Sequence, residues 1–367
     1  MTIKKQSSEV LIVGAGLSGL ALATQLVNKG IDVQVIEARS RSGGRMFSVV
    51  STKNNTDSAY FDMGPSWVWP GQPLINRLLK LMNIDVFEQY STGNLVYEDE
   101  QGLVRRDHDY STMAGSLRVD GGMQLIINRL KESLPESSVL ESHQLMDVKT
   151  FGDSIMATVK TRRNTIQFQS KKIVFCVPPR LTATSISFQP KLPTDVIQSL
   201  KSIPTWMAGH GKLTAIYDQP FWREMGLSGD AISRQGPLME IHDASPQNLE
   251  CGALFGFVGF PAHSPEREPS VLIDNAIKQL GRLFGPHAAN PVDIFFQDWA
   301  LEPFTATQQD ALSGHHPDYG LTDNIKLMCS RGIYFSSTET SSYSGGFIEG
   351  ALEAAENTAQ LIVSQSN

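Results

Sequence analysis

The sequence contains little cysteine: three residues of 367, namely Cys176, Cys251 and Cys329. This odd number, at wide spacing, matches neither a disulfide framework nor a zinc-binding pattern. It therefore excludes the disulfide-rich secreted class, predicts no metal site and favours a reducing, cytoplasmic location.

Long apolar runs and an excess of positive charge are also lacking. No segment approaches the roughly 18 uninterrupted apolar residues of a transmembrane helix, and residues 1–10 lack the apolar core of a secretory signal. Lys and Arg number 31 against 38 Asp and Glu, a net charge of −7, so a general nucleic-acid-binding surface is not expected. The hydrophobic fraction of 41% is typical of a globular protein, and 367 residues suggest about two domains.

What the sequence does contain, near its start, is a strand–loop–helix–strand pattern. The apolar residues 10–13 predict a buried strand, and residues 33–36 predict a second strand that ends at Glu37. The segment between the strands has the apolar periodicity of a helix. The loop before that helix, residues 14–19, is called the glycine loop here and contains Gly14, Gly16 and Gly19.

The glycine loop has the features of a dinucleotide-binding site. Gly14 permits a tight turn, Gly16 lets the backbone approach a pyrophosphate, and Gly19 lets the helix pack on the strand. Leu17 and Ser18 lie at the helix start, where free N–H groups and the helix dipole favour phosphate. The loop therefore predicts that a dinucleotide is bound.

Beyond this pattern, helices and strands interleave, which indicates an α/β fold. Apolar register predicts helices over residues 73–82, 123–134, 271–284 and 347–363, and short β-rich runs predict strands within residues 139–177, 292–299 and 332–335. In the first of these helices, Leu74, Leu78 and Leu81 form the expected apolar face.

Glu37 and the loop that follows it narrow the choice of dinucleotide. A carboxylate at this position accepts hydrogen bonds from an adenosine ribose and repels a 2′-phosphate, which favours FAD or NAD over NADP. The following residues of this segment, called the Glu37 loop here (residues 37–45), include Ala38, Arg39, Gly43, Gly44 and Arg45. The paired glycines and the arginine bring backbone and a guanidinium toward the same pyrophosphate. This glutamate and Gly-Gly-Arg spacing resembles the flavin-containing amine oxidase superfamily, which implies FAD.

The resemblance extends along nearly the whole chain, in the family's order. The matching segments are Asp62-x-Gly64 with Pro65, Ser66 and Trp67, Gly-Gly-Met at 121–123, the proline pair at 178–179, the lysine-bearing strand and Pro-Phe-Trp of 212–222, Asp298-Trp299, Ser-Thr-Glu-Thr at 337–340 and Gly-Phe-x-Glu-Gly-Ala at 346–351. The first and last of these matches are the most specific.

The resemblance implies an α/β fold with two domains. One is a Rossmann-like FAD-binding domain (GR2-type, related to NAD(P)-binding domains), discontinuous in sequence and expected from residues 1–66, 115–204 and 328–367. The other is an inserted α+β substrate-binding domain, expected from residues 67–114 and 205–327.

The resemblance also implies which residues contact FAD. Besides the glycine loop and the Glu37 loop, they are Gly64, Pro65, Ser66, Trp67, Leu145, Trp299, Glu339, Gly346, Phe347 and Ile348. The helix that begins near Phe347 is expected to direct its N-terminal N–H groups at the electron-rich edge of the flavin, with Glu339 as an organiser of the backbone. Members with covalent flavin carry a cysteine in the stretch that corresponds to residues 302–309; this stretch has none, so non-covalent FAD is expected.

Lys212 is the candidate catalytic residue. It lies in the apolar strand pattern of residues 211–217, where a buried lysine needs partners. The family's matching lysine holds a water against flavin N5 and assists oxygen reduction and imine hydrolysis, so desolvation is expected to lower the pKa of Lys212. A strand-edge lysine that reaches solvent is the alternative interpretation.

The predicted substrate pocket contains Trp67, Gln309 and Phe347. By resemblance, Gln309 and Phe347 stand where many amine oxidases have the two tyrosines of an aromatic cage, which argues against the usual arylalkylamine pocket. Trp67 stands where L-amino-acid oxidases have the arginine that binds the substrate carboxylate, which argues against an amino-acid substrate.

The function implied by the resemblance is oxidation of an amine C–N bond to an imine. The imine hydrolyses to an aldehyde or ketone plus ammonia or amine, and the electrons pass to O2 to give H2O2. Two alternatives remain: an FAD-dependent C–C desaturase or dehydrogenase with another acceptor, and a catalytically lapsed FAD-binding scaffold. The expected partners are a small-molecule amine and O2, without nucleic acid or membrane, and the chain is expected to be a monomer or homodimer.

Overall fold

The computed structural model describes residues 5–52, 59–248, 251–311 and 315–365. The predicted domain segments at the two ends of the chain, and the one over residues 205–327, each contain a few residues outside this part. Within it the chain folds as an α/β protein, as predicted, with two five-stranded sheets and one seven-stranded sheet. None of the helices in these ranges is both long and apolar enough to cross a membrane.

The strands of the described part are, in chain order, β1 (Lys5–Ser7), β2 (Val10–Val13), β3 (Val33–Ile36), β4 (Ser48–Val50), β5 (Tyr60–Asp62), β6 (Val86–Glu88), β7 (Asn94–Glu98), β8 (Val104–His108), β9 (Leu117–Val119), β10 (Val139–Leu140), β11 (Gln144–Phe151), β12 (Ser154–Lys160), β13 (Thr165–Ser170), β14 (Lys172–Phe175), β15 (Ser187–Gln189), β16 (Gly211–Tyr217), β17 (Leu227–Ser233), β18 (Leu238–Asp243), β19 (Gly252–Val258), β20 (Asp293–Asp298) and β21 (Ile333–Phe335). The α-helices are α1 (Leu17–Val27), α2 (Pro73–Leu81), α3 (Met123–Glu132), α4 (Pro179–Ser185), α5 (Thr194–Ser202), α6 (Phe221–Glu224), α7 (Pro269–Phe284), α8 (Asp323–Lys326) and α9 (Ile348–Ser364). Short 3-10 helices cover Pro265–Arg267, Pro286–Ala289, Trp299–Leu301, Gln308–Asp310, Leu327–Arg331 and Thr338–Thr340.

The N-terminal pattern folds as the sequence predicts. Strands β10, β3, β2, β14 and β21 form a parallel sheet in that order, and α1 connects β2 to β3. Val10, Leu11 and Ile12 of β2 are fully buried, as expected for a central parallel strand. Because α9 packs against α1, the C-terminal segment completes the layer that the N-terminal segment begins.

The other five-stranded sheet packs on the opposite face of the parallel sheet. Its order is β1-β13-β12-β11-β15, with antiparallel pairing in the centre, and three of its strands are among those predicted within residues 139–177. Side chains of β2 alternate between the two faces: Val10 and Ile12 pack with α1 and α9, whereas Leu11 and Val13 pack with this sheet. The parallel sheet is therefore covered on both sides.

The seven-stranded sheet has the order β20-β16-β19-β18-β17-β7-β8. Helix α7 covers one face through a core that includes Leu272, Leu280 and Leu283. The strands come from residues 94–108 and 211–298, which lie inside the two segments predicted for a substrate-binding domain. The exact domain boundaries stay a prediction.

The buried face of α2 differs from the prediction. Ile75 and Leu79 are its buried residues, whereas Leu81 is 74% exposed, so the expected face is wrong at Leu81. Helix α2 has two adjacent apolar stripes, and its packing against α9 determines which of the two is buried. The Glu349 carboxylate of α9 accepts the backbone N–H groups of Leu74 and Ile75 at 2.8 and 2.9 Å, which fixes the first turn of α2 against α9.

Candidate active site

A cavity of about 900 Å³ lies between the parallel sheet and the seven-stranded sheet. The glycine loop and the Glu37 loop form one end, and side chains of β16, β18 and β19 form the other. The sequence-predicted site residues on its wall are Gly14, Gly16, Leu17, Ser18, Glu37, Arg39, Gly43, Gly44, Arg45, Gly64, Pro65, Ser66, Trp67, Lys212, Trp299, Gly346, Phe347 and Ile348. The fold thus brings residues from both ends of the chain to one cavity.

Close packing explains two glycines of the glycine loop. A Cβ on Gly19 would lie 2.0 Å from the carbonyl oxygen of Gly14, and Gly14 itself has a φ of 105°. A Cβ on Gly16 would meet only the carbonyl oxygen of Gly43, at 3.9 Å, so the bare backbone faces the cavity here. The backbone N–H of Gly43 donates to the carbonyl of Ala15 at 2.8 Å, which fixes the Glu37 loop beside the glycine loop.

The Glu37 carboxylate is buried and held by backbone. Oε2 accepts the N–H of Ala15 and Oε1 accepts the N–H of Arg39, both at 2.9 Å. The Arg39 guanidinium donates to Glu302 Oε2 and Thr305 Oγ1, both at 2.7 Å. Because a carboxylate offers about four lone-pair positions, Glu37 keeps acceptor capacity for ribose hydroxyl groups.

Two helix N-termini open to the cavity without side-chain caps. Helix α1 begins after Gly16 and α9 begins after Phe347, and at neither does a capping side chain accept a first-turn N–H. Among the described atoms, the buried Oγ of Ser337 on the cavity wall has no hydrogen-bond partner. Unsatisfied N–H groups at helix starts bind anions, so these groups fit the pyrophosphate and the electron-rich flavin edge of FAD.

An ion pair joins the Glu37 loop to the C-terminal segment. Arg45 Nη1 lies 2.7 Å from Oε1 of the fully buried Glu339. Burial lowers the pKa of Arg45, but the charge and the hydrogen bond of Glu339, with smaller contributions from Tyr319 and Asp310, together outweigh it and raise the pKa above its ordinary value. Arg45 lines the cavity and Glu339 lies behind it. The pair therefore supports the wall at the end formed by the glycine loop and the Glu37 loop, which is called the cofactor end here.

Lys212 lies at the other end and is 2% exposed. Its Nζ donates to the carbonyl of Gly64 at 3.0 Å and to Ser66 Oγ at 2.6 Å, and it lies 3.8 Å from the centre of the Phe255 ring. Burial lowers the pKa of Lys212 to about 7, although the negative charge of Asp62 opposes this. The alternative of a strand-edge lysine that reaches solvent is therefore wrong.

Lys212 belongs to a row of side chains that crosses the seven-stranded sheet. On the neighbouring strand β19 its partner in register is Phe257, and the partner of Phe257 on β18 is Glu240. Side chains in register on adjacent strands share a face, and all three line the cavity. The backbones of Lys212 and Glu240 are two strand spacings apart, roughly 10 Å.

Glu240 is a cavity residue that the sequence did not identify. Its Oε1 lies 3.1 Å from Nε2 of His242, and this hydrogen bond holds the pKa of Glu240 below its ordinary value. Glu240 is therefore ionised at neutral pH. Trp206, on the loop before β16, lines the same cavity and was also missed.

Other predicted residues lie away from the cavity wall of the described structure. They are Gly19, packed on Gly14, Ala38, on a neighbouring surface groove, Leu145, in the core beside the second sheet, Glu339, behind Arg45, and Gln309, which is exposed. For Gln309 the local reason is a capping box in which Asp310 accepts from Thr307. Asp310 also pairs with Arg180, at 2.5 Å, which turns Asp310 inward and leaves Gln309 outside.

The covered parallel sheet, the glycine loop beside a buried acid and the desolvated lysine on the same cavity define an FAD-dependent oxidoreductase. A family model described as flavin containing amine oxidoreductase matches residues 17–102 and 93–363. The chain belongs to this family, and FAD is its cofactor.

Similar proteins with known names are amine oxidases. The chain is 24% identical to the probable flavin-containing monoamine oxidase A of Dictyostelium discoideum, over 96% of this chain and 97% of the relative. It is also 24% identical to the putrescine oxidase of Kocuria rosea, over 81% of this chain and 83% of the relative. A solved structure of wild-type putrescine oxidase bound to putrescine superposes with a TM-score of 0.81 at 23% identity, over 98% of this chain and 100% of the other. The shared fold extends to cyclohexylamine oxidase from Brevibacterium oxydans IH-35A, with a TM-score of 0.77 at 19% identity.

Proposed function

We propose that the chain oxidises the C–N bond of a small amine to an imine, which water converts to an aldehyde or ketone plus ammonia or amine. When bound, FAD would supply the two-electron acceptor for this oxidation, and transfer of the electrons to O2 would give H2O2. The observation that carries the proposal is Lys212, a desolvated amine held on the cavity wall by Gly64 and Ser66. A cytoplasmic location, favoured by the cysteine-poor sequence, belongs to the same proposal.

Lys212 is suited to hold a water molecule and to move a proton at neutral pH. Because its pKa is about 7, both the charged and the neutral form of Nζ are populated near neutrality. The two fixed acceptors, Gly64 O and Ser66 Oγ, hold the amine on the cavity wall and use two of its three hydrogen-bonding positions. These contacts support a role in hydrolysis of the imine and in proton supply to oxygen.

The substrate class that the cavity favours is a diamine. Glu240 places an ionised carboxylate in a cavity wall that also contains the aromatic side chains of Trp67, Phe257 and Phe260. Lys212 and Glu240 lie two strand spacings apart in the same row, roughly 10 Å between backbones. This distance leaves room for a short aliphatic chain, with one nitrogen at the reacting end and a distal ammonium at Glu240. The named putrescine oxidase relative supports the same assignment.

Lys212→Met tests the reaction. Purified holoenzyme is first mixed anaerobically with amines, and bleaching of the flavin absorbance reports amine oxidation; reoxidation by O2 is then followed by stopped flow. We expect the variant to slow reoxidation or turnover by about a hundredfold, the scale of a lost proton-transfer group. The exposed Lys278→Met is the matched control and should match wild type. Equal rates in the two variants would remove Lys212 from the mechanism, and slow reoxidation by O2 with fast transfer to a quinone would favour a dehydrogenase.

Glu240→Gln tests the substrate class. It keeps the shape of the side chain and removes its charge, so KM for 1,4-diaminobutane should rise about tenfold or more, the scale of one charge-assisted hydrogen bond. KM for 1-aminopentane, which has the same number of non-hydrogen atoms and one cation, should change by less than about twofold. The exposed Glu136→Gln serves as control. A uniform change for both amines would contradict diamine specificity.

A further inference from the structure

A second row of side chains lies beside the row of Lys212, Phe257 and Glu240. On β19, Phe255 is in register with His242 of β18. His242 is fully buried, and its ring stands edge-on to Trp67 of the cavity wall, with ring centroids 4.9 Å apart. The histidine therefore lies directly behind the wall to which Glu240 belongs.

Both ring nitrogens of His242 face a carboxylate. Nδ1 is 3.0 Å from Asp230 Oδ1 on β17, and Nε2 is 3.1 Å from Glu240 Oε1. Ionised carboxylates only accept hydrogen bonds, so both nitrogens donate and the ring is an imidazolium. The hydroxyl of Thr112 lies 3.3 Å from Nδ1, and the other ring neighbours are aromatic.

The charges of this group leave a negative charge on the cavity side. Burial lowers the pKa of His242, but the hydrogen bonds and charges of Asp230 and Glu240 outweigh it and raise the pKa. One cation between two carboxylates leaves a surplus of one negative charge. Asp230 is 1% exposed, whereas Glu240 lines the cavity, so a ligand in the cavity meets this charge at Glu240.

We infer that His242 is a positioning residue for substrate recognition: together with Asp230 it holds the Glu240 carboxylate on the cavity wall, ready for the distal ammonium group of a diamine. The inference rests on the diamine specificity proposed above and adds which residues hold the carboxylate responsible for it. Each ring nitrogen of His242 faces a carboxylate, and one of these two carboxylates is Glu240 of the cavity wall. A carboxylate fixed in this way loses less rotamer freedom when a cation binds, so it binds the cation more tightly.

The test compares three variants of the holoenzyme, His242→Gln, Asp230→Asn and Glu240→Gln, with the exposed control His287→Gln. Each is assayed for kcat and KM with 1,4-diaminobutane and with 1-aminopentane. Glutamine cannot donate to both carboxylates from the two ring-nitrogen positions, so His242→Gln should raise KM for the diamine about tenfold. Its kcat, and both constants for 1-aminopentane, should stay within about twofold. Asp230→Asn should change KM for the diamine in the same direction by about threefold, and the control should match wild type.

Two results would overturn the role of His242 alone. One is an equal loss on both amines, which a purely structural histidine would produce. The other is an unchanged KM for the diamine in His242→Gln while Glu240→Gln raises it. An unchanged KM in Glu240→Gln is a distinct result, because diamine specificity itself then fails and the inference falls with it. If His242→Gln does not fold with flavin bound, the isosteric Asp230→Asn provides the test. The role of His242 then requires that KM rises for the diamine and not for the monoamine.

Discussion

The two ends of the cavity are built from different parts of the polypeptide. At the cofactor end, bare backbone at Gly16 and the uncapped starts of α1 and α9 face the cavity. At the opposite end, proposed for the substrate and called the substrate end here, side chains of β16, β19 and β18 face it, with Lys212 and Glu240 on different strands. A site made of backbone groups can be recognised from a contiguous stretch of sequence. A site made of side chains on neighbouring strands can be recognised only when the register of those strands is known.

The largest expected effect comes from breaking the backbone end with Gly19→Ala. The added Cβ would lie 2.0 Å from the Gly14 carbonyl oxygen, so α1 would have to move away from β2. We expect protein that purifies without flavin absorbance and with a lowered Tm. The control Gly71→Ala, where nothing lies within 4 Å of the added Cβ, should keep both. A yellow Gly19→Ala protein with the Tm of wild type would contradict the need for this close approach.

Arg45→Met should have the next largest effect, because it leaves Glu339 buried without its partner. The free energy of unfolding should fall by about 3 kcal/mol, the lower end for a broken buried pair since Arg45 is partly exposed. Urea unfolding of the holoenzyme measures this. The exposed pair of Arg129 and Glu132 supplies the control: Arg129→Met should cost less than about 1 kcal/mol. Equal losses in the two variants would mean that Glu339 finds another partner.

A pH dependence of stability should come from Lys212 at the substrate end. The pKa of Lys212 is near 10.4 in the unfolded chain and about 7 in the folded protein. Between these two pH values the unfolded chain binds one more proton than the folded protein, so a rise in pH favours the folded state. The stability of wild type relative to Lys212→Met should therefore increase by about 1 kcal/mol between pH 8 and pH 9. Unfolding curves at the two pH values measure it. A constant difference would show that Lys212 stays charged in the folded protein.

The smallest expected effect is that of Gln309→Ala. Gln309 is exposed and lies away from the cavity wall of the described structure, so KM for any amine should change by less than about twofold. Steady-state kinetics with 1,4-diaminobutane and 1-aminopentane measures this. A tenfold change in KM would show that Gln309 belongs to the substrate pocket after all, and it would weaken the contrast between the two ends of the cavity.

The sequence predicted most of the fold, and most of the residues expected to contact FAD lie on the cavity wall. The strands at 10–13 and 33–36 and the start of the last helix near 347 agree with the structure within one residue, because strand, glycine loop and helix follow each other without interruption. Leu145 is one of the expected cofactor contacts that lie away from the cavity wall: it belongs to β11, whose alternation places it in the core.

The substrate end was harder to predict for a physical reason. Strict alternation along β18 would put Met239 and Glu240 on opposite faces of the sheet, yet both line the cavity. The register of β18 on β19 shifts between Leu238 and Glu240, and such a bulge changes which side chains face the cavity. No local sequence pattern predicts this shift. Glu240 and its partners Asp230 and His242 are therefore recognised as a group only in the folded sheet.

The docking of α9 on α1 and of β21 beside β14 also has a consequence in time. The glycine loop is synthesised before Ser337, Phe347 and the start of α9. The nascent chain therefore holds only one part of the proposed cofactor site until the C-terminal segment has been made. We expect the protein to retain FAD only after the two ends of the described chain have met.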